Sequence, residues 1–246
     1  MFGNSPISSS YYKKGGIIVK AYTTKEELRE NSGYPQNNTY PDSMGFGSRL
    51  LYRVLRRIIC CTMKFFWVKD VYGLENIPRE GAFVVAPNHS SFIDWLVVFA
   101  ALSRKKFISF LIKEKYYNKK FFNFFLRSME LMGTDGRSIR KAIRMLRNGH
   151  PVIIFPEGTR TRNGEIGEAI PGFSLISRVA DVPVIPMGIK GAYELWPRDK
   201  KFPAFFQKKR IAVYFGKPMY VKKDSSKEEL DEFSSEVMNE IKRLTQ

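Results

Sequence analysis

The chain has 246 residues, of which 43% are hydrophobic, and this is enough apolar material for one large or two small domains with a core. Its formal net charge of +17 predicts an anionic partner, such as a nucleic acid, an anionic membrane face or an acidic carrier protein. The twenty Phe residues favour the membrane, because Phe gains from burial in lipid.

Residues 1–45 are rich in Ser, Tyr, Asn, Gly and Pro, and we expect them to be loosely ordered. A short helix from about Thr24, which fits a capping box, is the exception. The first residues lack the charged start and apolar core of a secretory signal, and no uncharged apolar run approaches the ~20 residues that span a bilayer. These features predict a peripheral or monotopic protein on the cytoplasmic face of a membrane.

Residues 46–70 form the second predicted region, a basic amphipathic helix near 48–66. Such a helix can lie in a membrane interface as an anchor, or it can pack on its own domain with its Arg side chains in water. Cysteines that are neighbours in sequence rarely meet the geometry of a disulfide bond. We therefore expect Cys60 and Cys61 to be reduced and to act as packing residues. If the helix is an anchor, the predicted interface residues are Leu51, Leu55, Ile58, Ile59 and Phe66.

The hydrophobic pattern of residues 71–246 predicts one domain in which strands and helices alternate. Continuous apolar strands separated by helices are typical of an α/β fold with a single mixed, largely parallel sheet flanked by helices. Strands are predicted at 82–86, 107–112, 152–155, 182–189 and 211–215. Helices are predicted at 92–102, 118–128, 138–148, 172–180 and 226–244.

A first candidate site directly follows the strand at 82–86 and contains His89, one of only two histidines. If His89 lies in the loop and Asp94 in the first helical turn, Asp94 can accept a hydrogen bond from one ring nitrogen. The other nitrogen is then free as a general base. Asp94 also fits a capping box that begins at Ser91, and an isolated His–Asp pair is more often structural.

A second candidate site follows the strand at 152–155, in the sequence Phe-Pro-Glu-Gly-Thr-Arg at 155–160. A tight turn explains Pro156 and Gly158. It does not require Glu157 and Arg160 at the carboxyl end of a buried strand, where open α/β sheets place their ligand crevice. Arg160 offers a planar fork suited to phosphate, and Glu157 could hold Arg160 in place or accept a substrate hydroxyl.

The two motifs together resemble those of the glycerolipid acyltransferases, the family typified by 1-acylglycerol-3-phosphate acyltransferase. Residues 88–94 match its Asn-His-x4-Asp block and 155–160 match its Phe-Pro-Glu-Gly-Thr-Arg block without a change, while 182–187 resemble its fourth block. The likeness runs from about residue 71 to residue 221. One block departs from the family pattern, because Gly136 stands where the family has an Arg. Arg137, one place later, would substitute for that missing Arg.

The resemblance implies that residues 71–246 are an acyltransferase domain without a metal or redox cofactor. His89, oriented by Asp94, would remove the proton from an acceptor hydroxyl as that hydroxyl attacks an acyl thioester. The donor would be acyl-CoA or acyl carrier protein, and the acceptor lysophosphatidic acid, giving phosphatidic acid. Arg160 and Arg137 would hold the acceptor phosphate, and the full implied substrate-binding set is Lys113, Arg137, Glu157, Gly158, Thr159 and Arg160.

Two rival interpretations remain open. The acceptor could instead be glycerol-3-phosphate, a lysophospholipid or a lyso-aminolipid. A non-catalytic basic module that binds membranes or nucleic acid would explain the charge, but it would leave both motifs without a purpose. No RNA-recognition or helix-turn-helix signature is present, so we expect no nucleic-acid partner.

Overall fold

The computed structural model describes residues 11–14, 17–20, 46–102, 109–111, 131–132, 136–170, 172–204 and 211–246. The strands are β1 Tyr11–Lys14, β2 Ile17–Lys20, β3 Val68–Tyr72, β4 Val84–Pro87, β5 Ser109–Leu111, β6 Leu131–Met132, β7 Val152–Ile153, β8 Val184–Lys190 and β9 Ile211–Phe215. The helices are α1 Phe46–Phe66, α2 Asp94–Ala101, α3 Gly136–Arg147, α4 Gly172–Ala180, α5 Ala192–Leu195 and α6 Lys227–Thr245, with a short 3-10 helix at Leu74–Asn76.

Among the described residues, the main sheet has seven strands in the order β3-β9-β8-β4-β7-β5-β6. Neighbouring strands are parallel except β8 and β9, which are antiparallel. β1 and β2 form a separate antiparallel hairpin. The structure therefore confirms the α/β fold with a single mixed, largely parallel sheet.

All five predicted strands form, and so do the predicted helices at 92–102, 138–148, 172–180 and 226–244. The strand at 211–215 and the helix at 172–180 have the predicted ends, and the others differ by one or more residues. The hairpin and strands β3 and β6 were not predicted. β3 carries Lys69 and Asp70 at an edge of the sheet, and β6 has only two residues, so neither shows a buried-strand pattern. The predicted helix at 118–128 and the one near Thr24 lie outside the described residues.

The sheet lies between two layers of helices because successive strand residues point to opposite faces. Val85 of β4 packs with α1 and α2, whereas Val84 and Ala86 pack with α3, α4 and α6. The second face also contains Leu146, Phe173 and Val237, all nearly fully buried. Two apolar cores therefore hold the sheet rigid beneath the loops at its carboxyl edge.

Helix α1 belongs to this fold, since one of its faces packs on α2. Cys60 and Met63 are buried in the core shared with α2. The guanidinium group of Arg56 donates to the carbonyl of Leu102 at 3.3 Å and lies 5.4 Å from the ring centre of Phe99. Both cysteines are free, as expected, but only Cys60 is a packing residue, and Cys61 is exposed.

Candidate active site

The two sequence motifs meet at the carboxyl edge of the sheet. β4 and β7 are parallel neighbours, with Val84 opposite Val152 and Val85 opposite Ile153. The loops that follow them therefore leave the sheet side by side. They are joined by a backbone hydrogen bond of 2.9 Å from the amide of Thr161 to the carbonyl of His89.

His89 and Asp94 form the pair that the spacing predicted. Nδ1 of His89 lies 2.9 Å from Oδ2 of Asp94, a carboxylate that is completely buried. An ionised carboxylate only accepts hydrogen bonds, so with Asp94 ionised this contact requires a proton on Nδ1, and the lone pair of Nε2 is free in the neutral ring. The ring is 20% exposed and stacks on Phe155 at 4.0 Å, so the base remains within reach of a substrate.

The capping box considered at Ser91 forms only in part, because α2 begins at Asp94 and its N-cap residue, Ile93, has no side-chain cap. Oδ2 of Asp94 accepts the backbone amides of Ser90 and Ser91, each at 2.7 Å. The hydroxyl oxygen of Ser91 accepts in return from the amide of Ile93 at 3.3 Å. One oxygen therefore orients the imidazole and stabilises the loop before α2, so the two roles do not compete.

Glu157 of the second motif binds the backbone of the first motif and of the loop at Gly167. Its carboxylate accepts the amide of His89 at 2.7 Å and the amide of Gly167 at 3.2 Å. No hydrogen bond or ion pair between Glu157 and Arg160 is present in the described part of the chain. Burial raises the pKa of the Glu157 carboxyl, although the two amide bonds oppose that rise.

The raised pKa of Glu157 predicts a pH-dependent difference between wild type and Glu157→Gln. An acid whose pKa is higher in the folded state than its ordinary 4.5 lowers the unfolding free energy as it ionises with rising pH. Glutamine cannot ionise, so the stability of the variant relative to wild type should increase as pH rises from about 4. Denaturant unfolding across this pH range measures the difference, with the exposed Glu232→Gln as the control for one lost charge. A difference that falls with pH would contradict the assignment.

The turn predicted at 155–158 is confirmed. The amide of Gly158 donates to the carbonyl of Phe155 at 3.1 Å, and Gly158 has a φ of 62°, a conformation that favours glycine. A Cβ at this position would lie 2.7 Å from Cδ1 of Ile170. The backbone conformation and the space at this position therefore require glycine, whether or not Gly158 contacts a substrate.

Arg160 lies over the first motif. Its guanidinium carbon is 4.3 Å from the ring centre of Phe92, and Phe92 stacks on Trp196 at 5.1 Å. Thr159 and the carbonyl of Arg160 both accept from Nη1 of Arg198, at 3.4 and 3.1 Å. This cation–π contact uses none of the N–H donors of the Arg160 guanidinium group in a hydrogen bond, so they remain available to an anion.

Two of the predicted binding residues cannot be placed beside these groups. Arg137 lies in the first turn of α3, but its side chain is outside the described residues. Lys113 is entirely outside them. Both remain predictions.

Three further residues contribute to the site in ways that were not predicted from the sequence. Asn88 bonds through both side-chain atoms to the backbone of Ile189, at 3.0 and 2.7 Å, and this ties the first motif to β8. Trp196 and Arg198 come from the segment after β8. The sequence contains a signal for these two residues, because an aromatic and a cationic side chain lie a few positions beyond a buried strand. Arg160 was identified from its similar position after a buried strand.

The comparisons with known proteins place this region in a family. The family model described as "Acyltransferase" matches residues 69–190. A 1-acyl-sn-glycerol-3-phosphate acyltransferase of Bacillus subtilis is 27% identical over 61% of this chain and 73% of its own length. A chloroplast enzyme of the same name from Brassica napus is 27% identical over 63% of the chain, which spans only 46% of that relative.

A solved structure supports the same family assignment. The crystal structure of the 1-acyl-sn-glycerophosphate acyltransferase PlsC from Thermotoga maritima matches with a TM-score of 0.64 and 26% identity, over 82% of this chain and 84% of that one. Both motifs and the sheet edge that joins them lie inside the region matched by the family model. The chain is an acyltransferase: it belongs to the acyltransferase family and is similar to 1-acyl-sn-glycerol-3-phosphate acyltransferases.

Proposed function

We propose that this acyltransferase transfers an acyl chain from an acyl thioester to the free hydroxyl of lysophosphatidic acid, giving phosphatidic acid. The observation that carries the proposal is the stacking of Arg160 on Phe92, a residue between His89 and Asp94. One loop thus supports both a candidate general base and a candidate phosphate ligand. The relatives named above are 1-acyl-sn-glycerol-3-phosphate acyltransferases, which supports the same acceptor.

In this mechanism Nε2 of His89 takes the proton of the acceptor hydroxyl while the hydroxyl oxygen bonds to the thioester carbonyl carbon. Asp94 stabilises the imidazolium that forms, since its carboxylate is held 2.9 Å from Nδ1. The carbon–sulfur bond then breaks, and the departing thiolate receives the proton from His89. General-base assistance of this kind contributes about 10²–10⁴-fold in rate, and the positioning of the two substrates supplies a further part.

Arg160 would hold the acceptor phosphate, with Arg137 and Lys113 as further candidates. Glu157 would position the base through the amide of His89. The donor would be acyl-CoA or acyl carrier protein. Both carriers are anionic and suit a chain of net charge +17.

An acceptor panel tests the proposal. Thiol release by the purified protein is measured with both donors and with lysophosphatidic acid, glycerol-3-phosphate, a lysophospholipid with a larger headgroup, and no acceptor. The proposal predicts that lysophosphatidic acid gives the highest kcat/KM with at least one donor. Faster acylation of another acceptor would replace the substrate assignment, and no acceptor-dependent release would support the non-catalytic interpretation.

We also propose that the outer face of α1 attaches the protein to an anionic membrane. Opposite the face packed on α2, the helix exposes a line of apolar side chains, and Phe65 is 82% exposed. The exposed cations Arg53 and Arg57 lie beside this line. No helix in the described part of the chain is long and apolar enough to cross a membrane. The exposed apolar residues are Leu50, Val54, Ile58, Phe65 and Phe66.

This set differs from the predicted interface. Ile58 and Phe66 are exposed as predicted, but Ile59 packs against the core, so its assignment to the interface was wrong. The side chains of Leu51 and Leu55 are outside the described residues. Because Cys60 and Met63 are buried, deleting the helix would damage the core, and point substitutions on its outer face are the better test.

The double variant Ile58→Ser/Phe65→Ser should weaken binding to anionic vesicles by about 10²–10⁴-fold, since it removes two large apolar side chains and burying each is worth about 1.5–3 kcal/mol. Wild-type binding should also weaken with salt, because each basic residue near an anionic surface contributes about 1 kcal/mol. Vesicle flotation measures both effects. Tyr220→Ser removes an aromatic side chain that is 70% exposed outside α1 and serves as control. Flotation of the double variant equal to wild type would refute attachment through α1.

A further inference from the structure

The segment between α5 and Ala204 is built against both motif loops. The carbonyl of Trp196 accepts the hydroxyl of Ser91 at 2.8 Å and the amide of Phe92 at 3.4 Å. The segment is closed at its base, where the amide of Ala204 donates to the carbonyl of Leu195 at 2.8 Å. Residues 195–204, here called the strap, therefore have a defined position over the candidate site.

Arg198 is the strap residue that reaches the second motif. Its Nη1 donates to the carbonyl of Arg160 and to the hydroxyl of Thr159. A guanidinium group has five N–H donors, and within the described residues Nε and Nη2 of Arg198 have no hydrogen-bond partner. The strap thus holds one edge of a second guanidinium group against the backbone of Arg160 and leaves the other edge unused.

Two cations in one small surface repel each other, and an anion bound by both relieves that repulsion. The number of charges on the anion then matters. A phosphate monoester has a second pKa of about 6 and carries close to two charges at pH 7, whereas a phosphodiester carries one. Two guanidinium groups match the dianion, because each can form a charge-assisted hydrogen bond to it.

We propose that Arg198 determines specificity for an acceptor with a phosphate monoester, acting as the second guanidinium ligand beside Arg160. The inference rests on the proposed function, because it takes the acceptor phosphate as the anion bound by Arg160. It adds that the strap makes the enzyme discriminate against lysophospholipids whose phosphate is esterified to a headgroup.

The test compares lysophosphatidic acid with its phosphate methyl ester, a probe of nearly the same size with one charge fewer. Arg198→Ala should raise the KM for lysophosphatidic acid by about tenfold, the loss of one charged hydrogen bond. The KM for the methyl ester and the KM for the donor should change less than about twofold. Lys201→Ala removes another exposed strap cation and should leave every KM unchanged.

Arg198→Gln separates charge from support of the loop, since glutamine can still donate to the carbonyl of Arg160. The expected result is the same loss as in Arg198→Ala, with a Tm close to that of wild type. Wild-type KM in Arg198→Gln would overturn the proposal, as would an equal KM increase for both acceptors or an increase for the donor alone. If the wild-type enzyme did not acylate lysophosphatidic acid at all, the proposed function itself would fail first.

Discussion

His89→Ala is expected to lower kcat/KM for acyl transfer by about 10²–10⁴-fold, the usual contribution of a general base. The fold should persist, because the imidazole is partly exposed at the sheet edge and, within the described residues, makes one hydrogen bond, to Asp94. Thiol release measured with saturating donor gives the rate, and thermal unfolding gives the Tm. His150→Ala, which removes the other histidine, should retain wild-type activity.

Asp94→Asn should also lose about 10²-fold or more in kcat/KM. An amide oxygen can still accept the amides of Ser90 and Ser91, so most of the loop should be retained. It cannot supply the negative charge that stabilises the imidazolium, nor does it require the proton to be on Nδ1. The mechanism would be refuted by a His89→Ala variant that kept more than about a tenth of the wild-type rate.

Arg160→Ala is expected to raise the KM for the acceptor by about ten- to a hundredfold, because a charge-assisted hydrogen bond contributes about 1.5–3 kcal/mol. The KM for the donor should change little. Steady-state kinetics with each substrate varied in turn separates the two effects. Arg137→Ala should show the same pattern more weakly.

Arg162→Ala is a suitable control for Arg160→Ala, since Arg162 is an exposed cation only two residues further along the chain. It should keep the wild-type KM for the acceptor. A defect of Arg160→Ala on the donor side alone would remove Arg160 from the phosphate role and undermine the assignment of lysophosphatidic acid.

The positions of both motif loops could be predicted from sequence because each follows an apolar run at a turn or cap signal. The parallel pairing of β4 and β7 then brings the ends of those runs together. The role of Glu157 could not be predicted. Its partners are backbone amides of His89 and Gly167, and a backbone amide leaves no mark in a sequence pattern.

Tertiary packing explains the other differences between the predicted and the observed positions of residues. The apolar residues of α1 cover more than half of its circumference, so periodicity alone could not decide which of Ile58 and Ile59 faces α2. Similarly, Trp196 and Arg198 join the site only because β8 lies next to β4. Strand order in a seven-stranded sheet is not encoded in the local pattern of any one strand.

The protonation state of His89 can be measured by NMR of the protein labelled with ¹⁵N-histidine, which contains only two histidine side chains. His150→Ala assigns the signals. If Asp94 orients the ring as an active base, the neutral form of His89 carries its proton on Nδ1 and an unprotonated Nε2, and Asp94→Asn weakens that preference. A neutral ring protonated on Nε2 in the wild-type protein would contradict the assignment of His89 as the base.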